Sequence, residues 1–212
     1  MGKGQKLNFR VFLFFLIVSL SFYGCATMKK EECLTVNWYN IGYEDGVKGY
    51  KTSRIAKHRK SCSKYGVIPN LQLYQRGHAE GLREYCTPHQ GYILGLKGRT
   101  YNDICQGELK NPFQEGYNIG LDIYIFQKDI SKKQKALNEI KEEIAHIEEL
   151  LKEKEASLSK DCINSEKCKL SLDNIRNLDK KKSELYFILK SQKNLIKAMR
   201  QTLSDMKNQN RF

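Results

Sequence analysis

The cysteines and histidines are the residues of this sequence whose possible chemistry is most specific. Seven cysteines and four histidines occur in 212 residues, and two of each lie close together, as His58-x3-Cys62 and Cys86-x2-His89. These spacings are similar to half-sites for tetrahedral zinc. The ligand order is reversed between the two halves, however, and two nearby cysteines would be left over. Disulfide bonds are therefore the main prediction for these cysteines, and a zinc site is the alternative.

The N-terminus indicates the compartment in which the cysteines would work. Lys3, Lys6 and Arg10 precede an apolar run over 11–22 and a junction of small residues. That order is typical of a secretory signal peptide. The run holds about a dozen apolar residues, whereas a transmembrane helix needs ~20. We therefore predict that residues 1–24 are a cleaved signal peptide.

The junction after this run resembles the lipobox of bacterial lipoproteins. In that motif a cysteine after glycine is acylated, for example with palmitate, and becomes the mature N-terminus; here it would be Cys25, after Gly24. Phe22 stands where the motif usually carries leucine. Ordinary cleavage after Ala26 is the alternative. Residues 26–35 would then form a short tether.

Lipidation of Cys25 would leave six cysteines, an even number, which in an exported chain favours three disulfides. These six are Cys33, Cys62, Cys86, Cys105, Cys162 and Cys168. The last two are only six residues apart and far from the others, so we expect them to pair. Sequence proximity favours Cys33–Cys62 and Cys86–Cys105, and the other pairings of these four stay open.

Catalytic chemistry has weaker support. His78, Glu80 and Glu84 lie within two helical turns and could supply a base and an acid, although such residues beside helical glycines are typically surface groups. The sequence has no nucleophile elbow, zinc-protease helix or phosphate-binding glycine loop, and the disulfides would leave no thiol nucleophile. We predict a protein that is not an enzyme and uses no cofactor.

Between residues 25 and 125 an aromatic residue is repeatedly followed by two glycines. The clear copies span 39–46, 74–81 and 113–120, and a looser copy spans 92–98. A glycine inside a helix costs about 1 kcal/mol relative to alanine, and close packing between helices would offset that cost. The pattern predicts a helical head, and the alternative is that the second glycine of each copy only ends its helix. The glycines expected to pack are Gly42, Gly46, Gly77, Gly81, Gly116 and Gly120.

The region 126–212 has a different pattern. Apolar residues recur every seven positions, beginning with Ile130, Leu137 and Ile144, as in a coiled-coil seam. The pattern restarts after Cys168, with interruptions at Lys182 and Gln192. Two arms of about 35 residues, each ~50 Å long, joined by a tip loop at 160–169, predict an antiparallel helical hairpin.

The formal net charge is +13, and removal of the signal peptide would leave 34 basic side chains against 24 acidic ones. Export excludes nucleic acid as the natural partner of this charge. The most basic run of the head, 54–64, could bind phosphate-bearing lipid or glycan. The alternative is a solvated helix face.

Several motifs together resemble a known family over about residues 30–125. They are Glu32-Cys33, Asn37-Trp38-Tyr39, Gly42-Tyr43, Asp45-Gly46, His58-Arg59, Cys62, Tyr85-Cys86-Thr87-Pro88 and Gly91. The segment is similar to a family of small proteobacterial lipoproteins catalogued as domain of unknown function 2799. This resemblance implies an envelope lipoprotein of a Gram-negative bacterium, without an assigned activity. Ala26 after the modified cysteine resembles proteins that are sent to the outer membrane.

The expected fold is mainly α: a small disulfide-braced head over 25–125 and a coiled-coil hairpin over 126–212. The expected function is that of a lipid-anchored envelope protein with a structural or adaptor role. Its expected partners are the membrane, through the anchor, and an envelope protein or a second copy, through the hairpin. The alternatives are a peptidoglycan-associated enzyme or binding module and a zinc-binding periplasmic lipoprotein.

Overall fold

The computed structural model describes residues 28–210, so the predicted signal peptide and Cys25 lie outside the described residues. The described chain is mainly α, as expected. Its helices are α1 (Lys30–Thr35), α2 (Trp38–Val47), α3 (Ile55–Cys62), α4 (Leu71–Tyr85), α5 (Pro88–Leu96), α6 (Lys110–Asp161) and α7 (Ser165–Gln209). Single 3-10 turns occur at Thr52–Arg54, Ser63–Tyr65 and Gly107–Leu109. Within 28–210 no helix has the length and apolar character needed to cross a bilayer.

The chain divides into two compact units. Unit 1 contains the chain up to Cys86 together with Asp103–Leu109, and therefore holds α1 to α4. Unit 2 contains Thr87–Asn102 and the chain from Lys110 onward, and therefore holds α5 to α7.

Polar side chains fix where several helices begin. The side chains of Asn37 and Asn70 accept hydrogen bonds from backbone N–H groups in the first turns of α2 and α4. Thr87 caps α5 in the same way, and Pro88 follows it at the first helical position. Because these residues satisfy or remove N–H groups that lack a helical partner, they define the helix starts.

In unit 1, α2 and α4 pack backbone to backbone through their glycines. A Cβ atom added to Gly42 would meet the Tyr74 carbonyl, and one added to Gly77 would meet the Tyr39 carbonyl, both closer than the 3.0 Å that real Cβ atoms respect. Gly46 and Gly81 have the same relation to His78 and Tyr43. All four glycines lie inside helices, so close helix approach explains them.

In unit 2, α5 and α6 repeat this arrangement. Gly116 and Gly120 of α6 face the backbone of Pro88 and Tyr92, as Gly91 and Gly95 of α5 face that of Phe113 and Tyr117. The fourth copy of the pattern therefore begins at Pro88, and its placement at 92–98 was wrong. The sequence pattern missed this copy because Pro88 stands where the other copies have an aromatic residue.

A third glycine ends the first helix of each pair. Gly49 has φ +68° and Gly98 has φ +60°, a left-handed conformation that favours glycine. A Cβ at Gly49 would strike the ring of Tyr85, and one at Gly98 would strike the ring of Tyr124. The glycines that end helices are therefore distinct from those that pack.

Three disulfides brace the described chain. They join Cys33 to Cys62, Cys86 to Cys105 and Cys162 to Cys168, with Cα–Cα distances of 5.4, 5.7 and 4.2 Å. These are the pairs that sequence proximity favoured. Cys33–Cys62 joins α1, which precedes α2, to α3, which precedes α4. In the same way, Cys86–Cys105 joins the chain just before α5 to the segment just before α6.

The hairpin of unit 2 is formed by α6, with 52 residues, and α7, with 45. Its core contains Ile130, Leu137, Ile144, Leu189, Ile196 and Met199, which confirms the heptad pattern. The turn is shorter than the expected tip loop, because α6 continues to Asp161 and Asn164 caps the start of α7. No helix end occurs at 126, so a single helix carries both the glycine-packed segment and the first arm.

Candidate functional site

The best-formed polar cluster of the described chain surrounds Asp45 in unit 1. One carboxylate oxygen, Oδ2, accepts hydrogen bonds from the Tyr74 hydroxyl at 2.7 Å and from His58 Nε2 at 2.7 Å. The other oxygen, Oδ1, lies 3.0 Å from Arg54 Nε. Asp45, His58 and Tyr74 are buried. Because they belong to α2, α3 and α4, the carboxylate joins three helices.

The environment keeps Asp45 charged and Tyr74 neutral. Burial by itself would raise the pKa of Asp45, but hydrogen bonds from His58 and Tyr74 and the charges of His58 and Arg54 lower it below its ordinary value. Burial, and then the hydrogen bond to Asp45, raise the pKa of Tyr74. Both shifts favour the protonation states in which the phenol donates to the carboxylate.

The pairing with Asp45 also determines which nitrogen of the His58 ring carries a proton. An ionised carboxylate only accepts hydrogen bonds, so Nε2 must be the donor. Nδ1 is then an acceptor in the neutral ring and a second donor in the protonated ring. This Nδ1 atom is buried and has no hydrogen-bond partner within the described residues. Arg54, in turn, stacks its guanidinium 3.8 Å above the Tyr50 ring.

A cavity of about 450 Å³ lies beside this cluster, within the size range of small-molecule pockets. Asp45, Arg54 and His58 contribute to its wall, together with Lys48 and Glu44. Its lining mixes both signs of charge with hydrogen-bonding groups. Such a wall can bind a small polar ligand. Cys62, on the same helix as His58, is held in a disulfide and does not offer a nucleophile.

The second helix pair shows that glycine packing does not require these charges. Leu94 precedes Gly95 as Asp45 precedes Gly46, and Phe113 occupies the position that corresponds to Tyr74. Each pair has an equivalent hydrogen bond from its second helix to the chain just after its first helix. His78 Nε2 donates to the Tyr50 carbonyl at 2.7 Å, and the Tyr117 hydroxyl donates to the Arg99 carbonyl at 3.1 Å. The polar cluster is thus a specific feature of unit 1.

The alternative site residues do not assemble as a group. Cys62 and Cys86 are in two different disulfides, so they do not form a zinc site with His58 and His89. Within residues 28–210, no three His, Cys, Asp or Glu residues are placed to hold a metal ion.

The proposed acid–base set is also separated. His78 is buried against the Tyr50 carbonyl, whereas Glu80 and Glu84 are exposed. Sequence reasoning missed the roles of Asp45 and Tyr74. The available signal was a charged residue placed directly before a glycine of a packed helix face.

A second candidate surface lies on the hairpin, along α7. The bulky apolar side chains of Tyr186, Phe187, Ile188 and Leu195 are exposed, and Phe187 is the most exposed at 76%. Ile188 and Leu195 are seven residues apart and each precedes a buried seam residue, so they extend the seam onto the surface. The predicted seam interruptions Lys182 and Gln192 are half-buried.

These features define a disulfide-braced helical protein in which two glycine-packed helix pairs precede a long hairpin. Residues 37–122 match the model of the family described as Protein of unknown function (DUF2799), which confirms the resemblance inferred from the sequence. The match begins at the cap of α2 and ends just after Gly120, so it spans both helix pairs and stops before the hairpin.

One curated relative is the uncharacterized protein YfiL of Escherichia coli strain K12. It is 27% identical over 89 residues, which cover 42% of this chain and 69% of the relative. No solved structure matches the chain significantly.

Proposed function

We propose that this is a lipid-anchored protein of a Gram-negative envelope, held at the periplasmic face of the outer membrane, that acts as a structural or adaptor protein. The signal-peptide and lipobox patterns around Cys25 support the anchor. Three disulfides favour an oxidising compartment. Partners would be envelope proteins or a second copy of the chain.

The observation that carries the adaptor role is the exposed apolar strip of α7. Ile188 and Leu195 are 42% and 43% exposed, beside the seam between α6 and α7. Exposed bulky apolar side chains grouped along one element mark interaction surfaces in soluble regions of proteins. A third helix packed against this strip would complete a small helical bundle.

A comparative capture experiment tests this role. Crosslinking in native membranes is followed by purification of the wild type and of a variant carrying Phe187→Ala, Ile188→Ala and Leu195→Ala. The proposal expects specific partners, including second copies, to be lost from the variant. A matched control replaces apolar residues near the tip that are at least as exposed, through Ile163→Ala, Leu170→Ala and Leu172→Ala.

Two results would count against the proposal. An identical partner set for the α7 variant and the wild type would remove the adaptor role of this strip. Mass spectrometry of the natural protein that found residues 1–24 retained, or Cys25 without acyl chains, would remove the anchor.

A second candidate, a binding module for cell-wall material, is favoured by the cavity beside Asp45. Its wall offers the unpartnered buried His58 Nδ1 and the partly exposed Arg54 guanidinium. Sedimentation with purified peptidoglycan tests it. Arg54→Gln should lower the bound fraction, whereas the exposed Arg83→Gln on α4 should not. Equal binding by both variants would eliminate this candidate.

A further inference from the structure

The described chain joins the core of unit 1 at Met28. This residue is 5% exposed and belongs to a buried cluster with Cys33, Trp38, Cys62 and Tyr74. Its Sδ atom lies 3.9 Å from Cys62 Sγ, and α1 begins at Lys30. The expected tether over 26–35 was therefore wrong for 28–35, where Met28 is packed and Lys30–Thr35 is helical; residues 26 and 27 lie outside the described residues.

Only Ala26 and Thr27 separate Cys25 from this packed residue. Consecutive Cα atoms are 3.8 Å apart, so three such steps can span at most ~11 Å. The polar layer on each side of a bilayer is about 5–8 Å thick. An acyl chain on Cys25 would therefore hold the Met28 side of unit 1 against the lipid headgroups.

Met28 lines the cavity that Glu32, Glu44 and Asp45 also line, but two neighbouring elements carry exposed lysines. Helix α1 packs against α3 and against the turn Ser63–Tyr65. Lys57 and Lys60 of α3 are exposed and, three residues apart, lie on neighbouring parts of its surface. Lys64, in the turn that follows α3, is also exposed. His58, Ser61 and Cys62 of α3 are buried.

Acidic groups on these elements are few. The segment 55–67 contains no Asp or Glu. On α1, Glu31 and Glu32 are matched by Lys29 and Lys30, and Glu32 accepts a hydrogen bond from the Lys29 backbone at 2.7 Å. The net charge of this surface is therefore positive, and Leu34, 58% exposed, adds an apolar side chain to it.

We infer that the surface formed by Lys57, Lys60 and Lys64, with Lys29 and Lys30, docks onto anionic phospholipid headgroups. The inference rests on the proposed acylation of Cys25, which would bring these lysines near the membrane. At physiological salt the Debye length is ~8 Å, so lysines held against headgroups act within the range of the surface potential. Unit 1 would then have a fixed orientation on the bilayer.

Vesicle sedimentation of the full mature chain with Cys25→Ser tests the surface without the anchor. The probes are vesicles of phosphatidylglycerol mixed with phosphatidylcholine, and vesicles of phosphatidylcholine alone, at about 0.15 M salt. Binding to the mixed vesicles should exceed binding to phosphatidylcholine. Replacing the three lysines through Lys57→Glu, Lys60→Glu and Lys64→Glu should weaken it by about tenfold or more.

A matched control makes the same charge change on the hairpin, through Lys135→Glu, Lys141→Glu and Lys152→Glu, which alter exposed lysines. This control should keep most of the binding. The inference is overturned if the hairpin control loses as much binding as the α3 variant, or if the mixed vesicles bind no better than phosphatidylcholine. Failure of the anchor itself would be seen separately, by mass spectrometry of Cys25.

Discussion

Replacement of Gly77 by alanine tests the packing that organises unit 1. A Cβ atom at this position of α4 would meet the backbone of α2 at Tyr39, closer than 3.0 Å, whereas ordinary contact begins at 3.4 Å. The atom that it meets is a helical carbonyl, which cannot rotate away as a side chain would. The two helices must therefore separate along their contact.

The magnitude follows from two opposing effects. Alanine is favoured over glycine inside a helix by about 1 kcal/mol. Overpacking a tight interface costs typically 1–3 kcal/mol, occasionally more, and a gap of even 0.5–1 Å forfeits about a quarter to a half of each dispersion contact. Because a rigid backbone opposes the new methyl group, we expect the upper end of this range. The net destabilisation of unit 1 should be about 2 kcal/mol.

The single tryptophan makes this measurable. Trp38 is the only tryptophan of the chain and is buried in the core of unit 1, so its fluorescence reports the unfolding of that unit. For a domain of 60–100 residues, 1 kcal/mol corresponds to about 4–8 °C in Tm. Gly77→Ala should therefore lower the Tm measured by fluorescence by roughly 10 °C.

The reverse substitution on the same helix is the control. Ala79 is exposed on α4, so Ala79→Gly should cost only the propensity difference of about 1 kcal/mol. If Gly77→Ala leaves the midpoint unchanged or raises it, the helix propensity of alanine outweighs the cost of overpacking, and the backbone packing argument is wrong. The same conclusion would follow if Ala79→Gly cost more than Gly77→Ala.

Acid should weaken unit 1 through Asp45, because the pKa of this carboxyl is lower in the folded state than in the unfolded chain. The stability that ionised Asp45 contributes is complete above about pH 4. This stability is lost as the pH falls through the folded-state pKa. Asp45→Asn should cost about 1–3 kcal/mol at pH 7 and flatten the pH dependence of the Trp38 midpoint below about pH 4; an unchanged slope would contradict this role. Breaking the tip disulfide through Cys162→Ser and Cys168→Ser should destabilise the hairpin by ~2 kcal/mol, seen as a lower midpoint in circular dichroism, and an equal loss in the Trp38 signal would show that the effect is not local to the hairpin. Alkylation of the unreduced mature protein should modify none of the six described cysteines, and four or more reactive thiols would refute the disulfide assignment.

Local patterns predicted much of this fold, because the relevant interactions are close in sequence. The heptad spacing from Ile130 and Leu137 identified the hairpin, since residues three and four apart share a helix face whatever the partner is. Proximity identified the disulfides, including Cys162–Cys168 at the tip. The glycine spacing predicted helices that pack through their backbones, although it did not specify which helices pair.

The candidate site was less accessible to such reasoning. Asp45 is 13 residues from His58 and 29 from Tyr74 along the chain, and each of them has an ordinary neighbourhood in the sequence. The fourth glycine copy was misplaced because Pro88 stands where the other copies have an aromatic residue. Only the pairing of α5 with α6 reveals that Gly91 and Gly95 are the packing glycines.

The sequence by itself determined the helical class and the hairpin and favoured the cysteine pairs that form, because periodicity and short separation carry that information within one segment. The tertiary structure alone decided that four glycine-bearing helices form two matching pairs. It also decided that the buried carboxylate of Asp45 links both helices of the first pair, α2 and α4, to α3, and that Leu94 takes the equivalent place in the second pair. It also decided that Met28 belongs to the core and not to a tether. These properties depend on which surfaces meet, and burial and distance between remote residues exist only after the chain has folded.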